Sequence, residues 1–416
     1  MKFQEVIGQT EVKDQLVKMV KQNRLSHALL FLGKEGSGAL SLALAFSQFV
    51  VCQAYGDPKS VSKSSAFFEE PGILENIVPP KDILTDSCGI CPACTKARQL
   101  IHPDIHYSYP VITKKQGEKP LSSDFITEWR QFVKGNAYGN VYDWLQYIGA
   151  ENKQGNISAD ECNNIIKKLS LKAFESKFKI LIVWMPEFLG KEGNKLLKLI
   201  EEPPPDTLFI FVAESENDIL ATILSRTQLI KIPSLTNAEI ENALIERSNQ
   251  QDNKAEQIAS VAEGNYREAL LLLQNAEEDW QHLLREWLNA ILKNGPVAQI
   301  KWIEEMNKLG REKQKQFIRY FIHLLEQALR FRVVDISHFS LDSSNRSSNI
   351  NIPEKERDFA IRLNKLCSLG AQKAIITELD KAMYYIERNA NGKMLFHALS
   401  IRLHYIITDN SLILIN

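Results

Sequence analysis

Three cysteines are spaced at intervals of three residues between Cys88 and Cys94, in the pattern Cys-x₂-Cys-x₂-Cys. A further thiol, Cys52, lies upstream in the same part of the chain. Four thiolates suit tetrahedral Zn²⁺ and leave no open position for a reacting water, so such a site is structural. In a reducing compartment this clustering indicates a metal site before it indicates disulfides. The predicted zinc ligands are Cys52, Cys88, Cys91 and Cys94.

The fourth ligand of this set, Cys52, has two alternatives. The gap that follows Cys52 is long, so His102 or His106 remains a possible substitute for it. The other two cysteines stand alone, Cys162 in an amphipathic helical segment and Cys367 near a helix end. Both are expected to be small core residues.

A glycine-rich segment, Gly33–Gly38, follows a predicted strand and precedes a predicted helix. This is the setting of a phosphate-binding loop, whose backbone N–H groups surround an anion. In the full pattern a Lys then reaches the β- and γ-phosphates and a Ser or Thr holds Mg²⁺. This chain has Ala39 and Leu40 there, and Lys34 lies before the helix, where it does not replace the missing Lys. The candidate loop glycines are Gly33, Gly36 and Gly38.

The second strand of an ATP site should end in acidic residues that position Mg²⁺ and polarise water. Here Val183 is followed by Trp184, Met185 and Pro186, and the acidic Glu187 is displaced. Because both halves of the site are altered, the sequence predicts no ATP hydrolysis and argues against ATP binding. The loop glycines are then a retained tight turn.

These residues need a framework of alternating strands and helices. Apolar runs at 28–32, 179–183 and 208–213 indicate buried strands. The helical stretches between and around them are 12–22, 40–51 and 191–201. Strands that alternate with helices predict a parallel sheet covered on both faces. From about residue 237 the pattern is helical throughout.

The composition limits the possible functions. A chain of 416 residues with 44% hydrophobic content fits a soluble protein of two or three domains. Fifty Lys and Arg against 51 Asp and Glu leave no global positive field for nucleic acid. With no signal peptide and no apolar run of about 18 residues, we expect a cytoplasmic protein. The polar segments 57–87 and 340–351 are expected to be a loop insertion and a loop of the last domain.

Several short motifs occur together in one order and spacing. They are Phe3–Gln9, Leu25–Ala28, Lys195–Lys198, Glu201–Pro204, Thr222–Thr227, Gly264–Leu270 and Ile386–Asn391. On these motifs most of the chain resembles the AAA+ clamp-loader subunits of bacterial DNA polymerase III, and among them the delta-prime-like subunits. Such subunits typically have degraded ATP motifs, whereas the motor subunits of the family keep theirs.

The resemblance implies roles for two arginines. The pair Ser225 and Arg226 matches the family's Ser-Arg-Cys signature, with Thr227 in place of the Cys. In that family the Arg reaches into the ATP site of the neighbouring subunit. Arg267 stands at the second-sensor position, which in active relatives contacts nucleotide bound to the same subunit. Without the resemblance, Arg226 is a surface arginine before a strand, and Arg267 packs the small helical domain.

The resemblance also implies an architecture and partners. Residues 1–235 would form an α/β AAA+ module, a parallel sheet flanked by helices, with a Cys₄ zinc module at about 52–106. A small helical lid domain, 236–277, and an all-α collar domain, 278–416, would follow. The collar is expected to pack with the other loader subunits, motor and delta-type, into a five-subunit ring. That ring would open the sliding clamp and load it onto primed DNA.

The expected function is therefore a non-catalytic stator subunit that supplies Arg226 to a neighbour's ATP site. A rival interpretation is an active AAA+ ATPase motor subunit, against which Ala39, Leu40 and Trp184 argue. A second rival is a zinc-dependent nucleic-acid-binding module. The basic residues near the cysteines that suggest it are Lys96, Arg98, Lys114 and Lys115.

Overall fold

The computed structural model describes residues 1–56, 85–113, 119–150, 155–248, 252–274, 280–338, 354–388 and 390–408. They form two compact units, Met1–Leu270 and Leu271–Asn416. Several predicted features lie outside the described residues: most of the insertion (57–84), the lysines at 114 and 115, and the loop at 340–351. The three-domain division at residues 235 and 277 remains a prediction.

The first unit is built on a sheet of five parallel strands in the order β2-β3-β4-β1-β5. The strands are β1 (Ala28–Gly33), β2 (Ile105–Ser108), β3 (Lys179–Trp184), β4 (Thr207–Ala213) and β5 (Gln228–Ile232). The predicted α/β core with a parallel sheet is confirmed. The short β2 was not predicted, because a four-residue strand with two polar side chains has little apolar periodicity.

The central strands are buried because helices cover both faces of the sheet. Alternate residues of β1 enter different cores: Leu29 and Phe31 join one, and Ala28 and Leu30 join the other. The side chains of β3 and β4 are buried along their whole length. Their continuous apolar sequences follow from burial on two faces, since no position needs a polar residue for solvent.

Twelve helices accompany this sheet within the described ranges. They are α1 (Thr10–Lys21), α2 (Ala39–Val51), α3 (Gln53–Gly56), α4 (Pro92–Arg98), α5 (Ile126–Gly135), α6 (Val141–Tyr147), α7 (Ala159–Ser170), α8 (Leu197–Glu201), α9 (Ala221–Leu224), α10 (Asn237–Ser248), α11 (Asp252–Ala262) and α12 (Tyr266–Gln274). Helix α2 is buried along its whole length, which explains its almost uninterrupted run of apolar and small residues.

The helix expected at 191–201 is shorter than predicted. Residues Pro186–Leu196 form tight 3₁₀ turns, and only Leu197–Glu201 is α-helical. Gly190 interrupts the turns with φ +49° and ψ −140°, a conformation that favours glycine. Gly190 thus separates the 3₁₀ turns before it from those after it, and the predicted helix is α-helical only in its last five residues.

The second unit is helical. Its helices are α13 (Trp280–Asn289), α14 (Gly295–Lys308), α15 (Arg311–His338), α16 (Glu354–Leu366), α17 (Leu369–Glu387) and α18 (Gly392–Thr408). Trp287 and Trp302 stack at 4.9 Å between ring centroids, and Phe317 and Phe396 pack against them. Along the described parts of the chain, no helix has both the length and the apolar character that a membrane crossing requires.

Candidate functional site

The glycine-rich loop joins the carboxyl end of β1 to the first turn of α2, as predicted for a phosphate loop. Gly36 and Gly38 have φ values of +72° and +87°. A Cβ atom on Gly36 would lie 1.9 Å from Asn265 Oδ1, and one on Gly38 would lie 2.8 Å from the Tyr138 ring. Both glycines are therefore required by backbone conformation and by close neighbours. This requirement holds whether or not an anion binds.

The acidic residue of this loop, Glu35, is hydrogen-bonded by other residues of the chain. Its Oε1 accepts hydrogen bonds from Asn265 Nδ2 and from Arg267 NH1, each at 3.1 Å. Its Oε2 accepts one from Asn140 Nδ2, also at 3.1 Å. The carboxylate of this loop residue thus takes its hydrogen-bond donors from two other segments of the chain.

Arg267 is held between two carboxylates. Its Nε and NH2 donate to the two oxygens of Asp143, each at 2.5 Å, while its NH1 pairs with Glu35. The arginine side chain is 5% exposed. A two-oxygen fork of this kind is among the stronger ion-pair geometries in proteins. Arg267, predicted at the second-sensor position, therefore has its charge neutralised by residues of the first unit.

A small cavity lies beside the loop, at the carboxyl ends of β1, β3 and β4. Its volume is about 20 Å³, which is room for roughly one water molecule. The residues that close it include Ala39, Leu40, Tyr138, Trp184 and Met185. The positions at which an ATP site needs a lysine, a hydroxyl and acidic groups are thus occupied by apolar side chains.

The displaced acidic residue, Glu187, does not line this cavity. Its Oε1 accepts hydrogen bonds from the backbone N–H groups of Glu214 and Ser215, at 2.7 and 3.0 Å. Burial raises the pKa of the Glu187 carboxyl above its ordinary value. The carboxylate ties the turn after β3 to the end of β4, which is a structural position.

Arg226 lies in the turn between α9 and β5, and 33% of its side chain is exposed. Its Nε donates to Glu201 Oε1 at 2.6 Å, and its NH2 contacts the same oxygen. Its NH1 donates to the Thr222 carbonyl at 2.8 Å and to Ser225 Oγ at 3.1 Å. Ser225, the other residue of the predicted pair, therefore supports the guanidinium directly.

The topology separates Arg226 from the phosphate loop of its own chain. Strands β1 and β5 are parallel neighbours, with Leu29 opposite Gln228 and Gly33 opposite Ile232. Arg226 precedes β5 and so lies at the amino edge of the sheet, whereas the loop begins at the carboxyl edge. The length of β5 alone separates the two edges by about 13 Å, at roughly 3.3 Å per residue. The structure does not bring these two predicted site elements together.

The four predicted zinc ligands do come together. Cys52 ends α2, Cys88 and Cys91 precede α4, and Cys94 lies in its first turn. Their sulfur atoms all lie within 4.8 Å of one another, and those of Cys88 and Cys94 are 3.9 Å apart. For Zn–S bonds of about 2.3 Å, a tetrahedron has S–S edges of about 3.8 Å, whereas a disulfide needs about 2.05 Å. The cluster therefore fits a tetrahedral metal ion.

The charges of the cluster also fit a metal ion. Hydrogen bonding with Cys88 raises the pKa of Cys52, and hydrogen bonding with Cys52 raises that of Cys94. The same bonding with Cys52 lowers the pKa of Cys88 and brings that of Cys91 to about 6. Thiolates this close repel one another, so all four can lose their protons only with a cation between them.

The alternative histidine ligands lie elsewhere. His102 Nε2 is 3.2 Å from Glu175 Oε1, and its Nδ1 accepts the Asp104 backbone N–H at 3.2 Å. His106 belongs to β2, and burial lowers its pKa to about 4. Among the described side chains, neither histidine belongs to the metal-ligating group, which contains Cys52 instead.

Sequence reasoning missed the partners of both arginines. Asn140 and Asp143 carry a helix-capping signal, since Asp143 N–H binds Asn140 Oδ1 at 2.9 Å at the start of α6. That signal locates a helix start, but no local pattern links residue 143 to Arg267. Glu35 and Glu201 were visible within motifs, without any indication of the arginine that each one binds.

Comparison with known proteins gives relatives with two kinds of name. DNA polymerase III subunit tau of Bacillus subtilis is 25% identical over 305 residues, which are 72% of this chain and 42% of tau. DNA polymerase III subunit delta' of the same organism is 25% identical over 270 residues, 65% of this chain and 60% of that protein. Subunit delta' of Haemophilus influenzae is 23% identical over 316 residues, 75% and 73% of the two chains. The chain thus spans less than two thirds of either Bacillus relative.

The family model described as DNA polymerase III, delta subunit, matches residues 8–70 and 73–236. The match covers more than half of the chain and includes the phosphate-loop segment, all four clustered cysteines and Arg226. By this match the chain belongs to the DNA polymerase III delta subunit family.

Proposed function

We propose that this chain is a clamp-loader subunit of DNA polymerase III that hydrolyses no ATP itself and supplies Arg226 to the ATP site of a neighbouring subunit. The position of Arg226 carries the proposal. It lies at the sheet edge opposite to its own phosphate loop, on a short turn, and its side chain is partly exposed. An arginine in that place can serve an ATP site only if the site belongs to another chain.

The chain's own loop supports the non-catalytic part of the proposal. A phosphate loop needs a lysine for the β- and γ-phosphates and a hydroxyl for Mg²⁺. Ala39 and Leu40 provide neither, and the loop already holds the Glu35 carboxylate with Arg267 bound to it. Arg267 is already paired with Glu35 and Asp143, so a nucleotide phosphate would have to displace these carboxylates to reach it, and no lysine is present to receive the phosphates. We therefore also propose that the chain does not bind ATP.

The chemistry expected of Arg226 is electrostatic. Phosphoryl transfer spreads negative charge over the oxygens of the transferred group, and a guanidinium stabilises that charge. In related NTPases such an arginine increases the rate by about 10³ to 10⁵, or roughly 4 to 7 kcal/mol of transition-state stabilisation. A subunit with an inactive site can therefore have a large effect on its neighbour. Ser225 would contribute by holding NH1 of Arg226.

The cysteine cluster is proposed to hold a structural Zn²⁺. The ion would neutralise the four thiolates and tie α4 to the end of α2, with no open position for catalysis. In this proposal its role is to stabilise the module that carries Cys88–Cys94, not to take part in the reaction.

The proposed partners follow from the family. The names of the relatives place them in DNA polymerase III, as subunits tau and delta'. We propose that this chain assembles with motor and delta-type subunits into a five-subunit ring, through the helices of its second unit as the collar. Contact with the sliding clamp and with primed DNA would then be made by the assembled complex.

Two other functions have less support. The similarity to subunit tau favours an active motor subunit, but the apolar residues that line the small cavity beside the loop argue against it. For a nucleic-acid-binding zinc module, the described basic residues give little support. Lys96 is paired with Glu175 at 2.5 Å, and the lysines at 114 and 115 lie outside the described residues.

The direct test measures ATPase activity of the reconstituted loader with clamp and primed DNA. Arg226→Ala should lower the turnover of the complex, because the ATP site that receives Arg226 loses about 10³-fold or more in rate. Assembly should be unchanged, since the residue is exposed. The isolated chain should show no turnover. Unchanged turnover in the variant complex would reduce the subunit to an architectural role, and ATP hydrolysis by the isolated chain would contradict the proposed inactive site.

A further inference from the structure

The side chain that orients Arg226 comes from a different element of the fold. Glu201 is the last residue of α8, and its Oε1 receives Nε of Arg226 at 2.6 Å. NH2 of Arg226 contacts the same oxygen. The two residues are 25 positions apart in the chain, so their pairing is a tertiary feature. We propose that Glu201 is a positioning residue for Arg226 in the neighbour's ATP site, an inference that rests on the function proposed above.

The donors of the guanidinium show how the positioning works. An arginine has five N–H donors in a rigid plane. Nε is directed at Glu201, and NH1 is directed at the Thr222 carbonyl and at Ser225 Oγ. These contacts fix the plane of the group and leave one N–H of NH2, the one that does not face Glu201, to bind an anion. Glu201 thereby orients the guanidinium before a neighbouring subunit arrives.

The geometry of the ion pair indicates that Glu201 orients the Arg226 guanidinium without holding it too tightly to move. Two nitrogens of Arg226 share one oxygen of Glu201, whereas a strong arginine–carboxylate pair uses both oxygens in a fork. Asp143 grips Arg267 with such a fork. The Glu201 side chain is also 45% exposed, so water and salt weaken the pair. The arginine can shift towards a phosphate without leaving a buried charge behind.

A free arginine side chain must lose rotamer freedom when it docks into a neighbouring site. Ordering one such side chain in advance changes binding or rate by about three- to tenfold. Glu201→Ala should therefore lower kcat of the assembled loader by about three- to tenfold at the site that Arg226 serves. The effect should be smaller than that of Arg226→Ala, because the arginine remains present but is less well oriented.

The test uses four versions of the subunit in the complete loader with clamp and primed DNA: wild type, Glu201→Ala, Arg226→Ala and the double variant. Glu202→Ala is the matched control, since Glu202 is the adjacent exposed carboxylate. Assembly of each complex is checked by size-exclusion chromatography, and kcat and KM for ATP are measured separately. We expect a lower kcat for Glu201→Ala, an unchanged kcat for Glu202→Ala, and no further loss when Glu201→Ala is added to Arg226→Ala.

The outcomes separate this inference from the function on which it rests. If Arg226→Ala lowers kcat and Glu201→Ala does not, Glu201 has no positioning role, although the trans-acting arginine stands. If Glu201→Ala causes the same loss in the double variant as alone, or if Glu202→Ala causes it too, Glu201 acts through structure or general charge. If Arg226→Ala itself has no effect, the proposed function fails, and the positioning role fails with it.

Discussion

The two arginines marked by the sequence motifs have opposite surroundings. Arg267 is 5% exposed and lies between two carboxylates of its own chain, Asp143 and Glu35. Arg226 is 33% exposed and is held at one oxygen of Glu201, at the other edge of the sheet. In the phosphate-loop region, Arg267 forms ion pairs with Glu35 and Asp143 of the same chain. The guanidinium of Arg226 is bound at one carboxylate oxygen and stays partly exposed, so another molecule can contact it.

This difference bears on the second-sensor role that the resemblance implies for Arg267. By that resemblance the arginine would contact nucleotide bound to its own subunit. Here Glu35 of the loop supplies a negative charge, so Arg267 has an ionic partner that requires no bound nucleotide. The cysteine cluster differs, because four thiolates within 4.8 Å of one another repel, and in the proposed function an external metal ion balances their charge. The loop, by the same proposal, takes up no external anion.

Removal of a metal ligand should have the largest effect on this comparison. Cys94→Ser should reduce bound zinc from one ion per chain to none and destabilise the first unit, since structural zinc contributes on the order of 10 kcal/mol in small zinc domains. Cys162→Ser is the control, because Cys162 is a lone buried thiol of α7. Metal content is measured by atomic absorption, and stability by thermal unfolding. Zinc retained by Cys94→Ser, or lost equally by Cys162→Ser, would contradict the assigned ligands.

The two arginines themselves allow a matched pair of substitutions. Arg267→Ala leaves Asp143 and Glu35 without their cation, and breaking a buried pair costs about 3 to 5 kcal/mol. We expect about 3 kcal/mol, because both carboxylates are partly exposed, at 22% and 18%. Arg226→Ala should cost roughly 1 kcal/mol or less, as for exposed ion pairs. Urea unfolding of both variants measures the free energies of unfolding. Equal losses of unfolding free energy would mean that the buried ion pairs of Arg267 and the partly exposed ion pair of Arg226 stabilise the fold to the same extent.

The sequence was sufficient for the framework of the first unit. Apolar runs without alternation predicted β1, β3 and β4, because strands buried on both faces need no polar positions. The spacing of Cys88, Cys91 and Cys94 predicted that these three thiols would meet, whereas the more distant Cys52 had His102 and His106 as alternatives. In both cases a local pattern carried the information.

The parts that could not be predicted depend on long-range pairing. The contacts of Glu35 with Arg267 and of Glu201 with Arg226 join residues that are 232 and 25 positions apart. No local spacing connects such residues, so only the fold reveals them. The kink at Gly190 had a local signal, but the helical spacing of the neighbouring apolar residues concealed it. The sequence located the candidate residues, and the tertiary structure determined what each one binds.

The smallest expected effect is the response to ATP, which we predict to be absent. A ligand that binds the folded state at 100 times its Kd raises stability by about 2.7 kcal/mol, so binding would be visible in thermal unfolding. Millimolar MgATP should leave the Tm of the isolated chain unchanged, because the cavity has a volume of about 20 Å³ and Ala39 replaces the phosphate-binding lysine.

Glu35→Ala separates the two reasons for this absence. The variant removes the carboxylate that occupies the loop but leaves Ala39 and Leu40 in place, so we again expect no change of Tm with ATP. A saturable rise in the variant alone would show that Glu35 is what excludes nucleotide. A saturable rise in the wild-type chain would show that the loop can open to phosphate. The phosphate-loop region, with Arg267, would then bind an external group as well, and it would no longer differ in this respect from the region of Arg226.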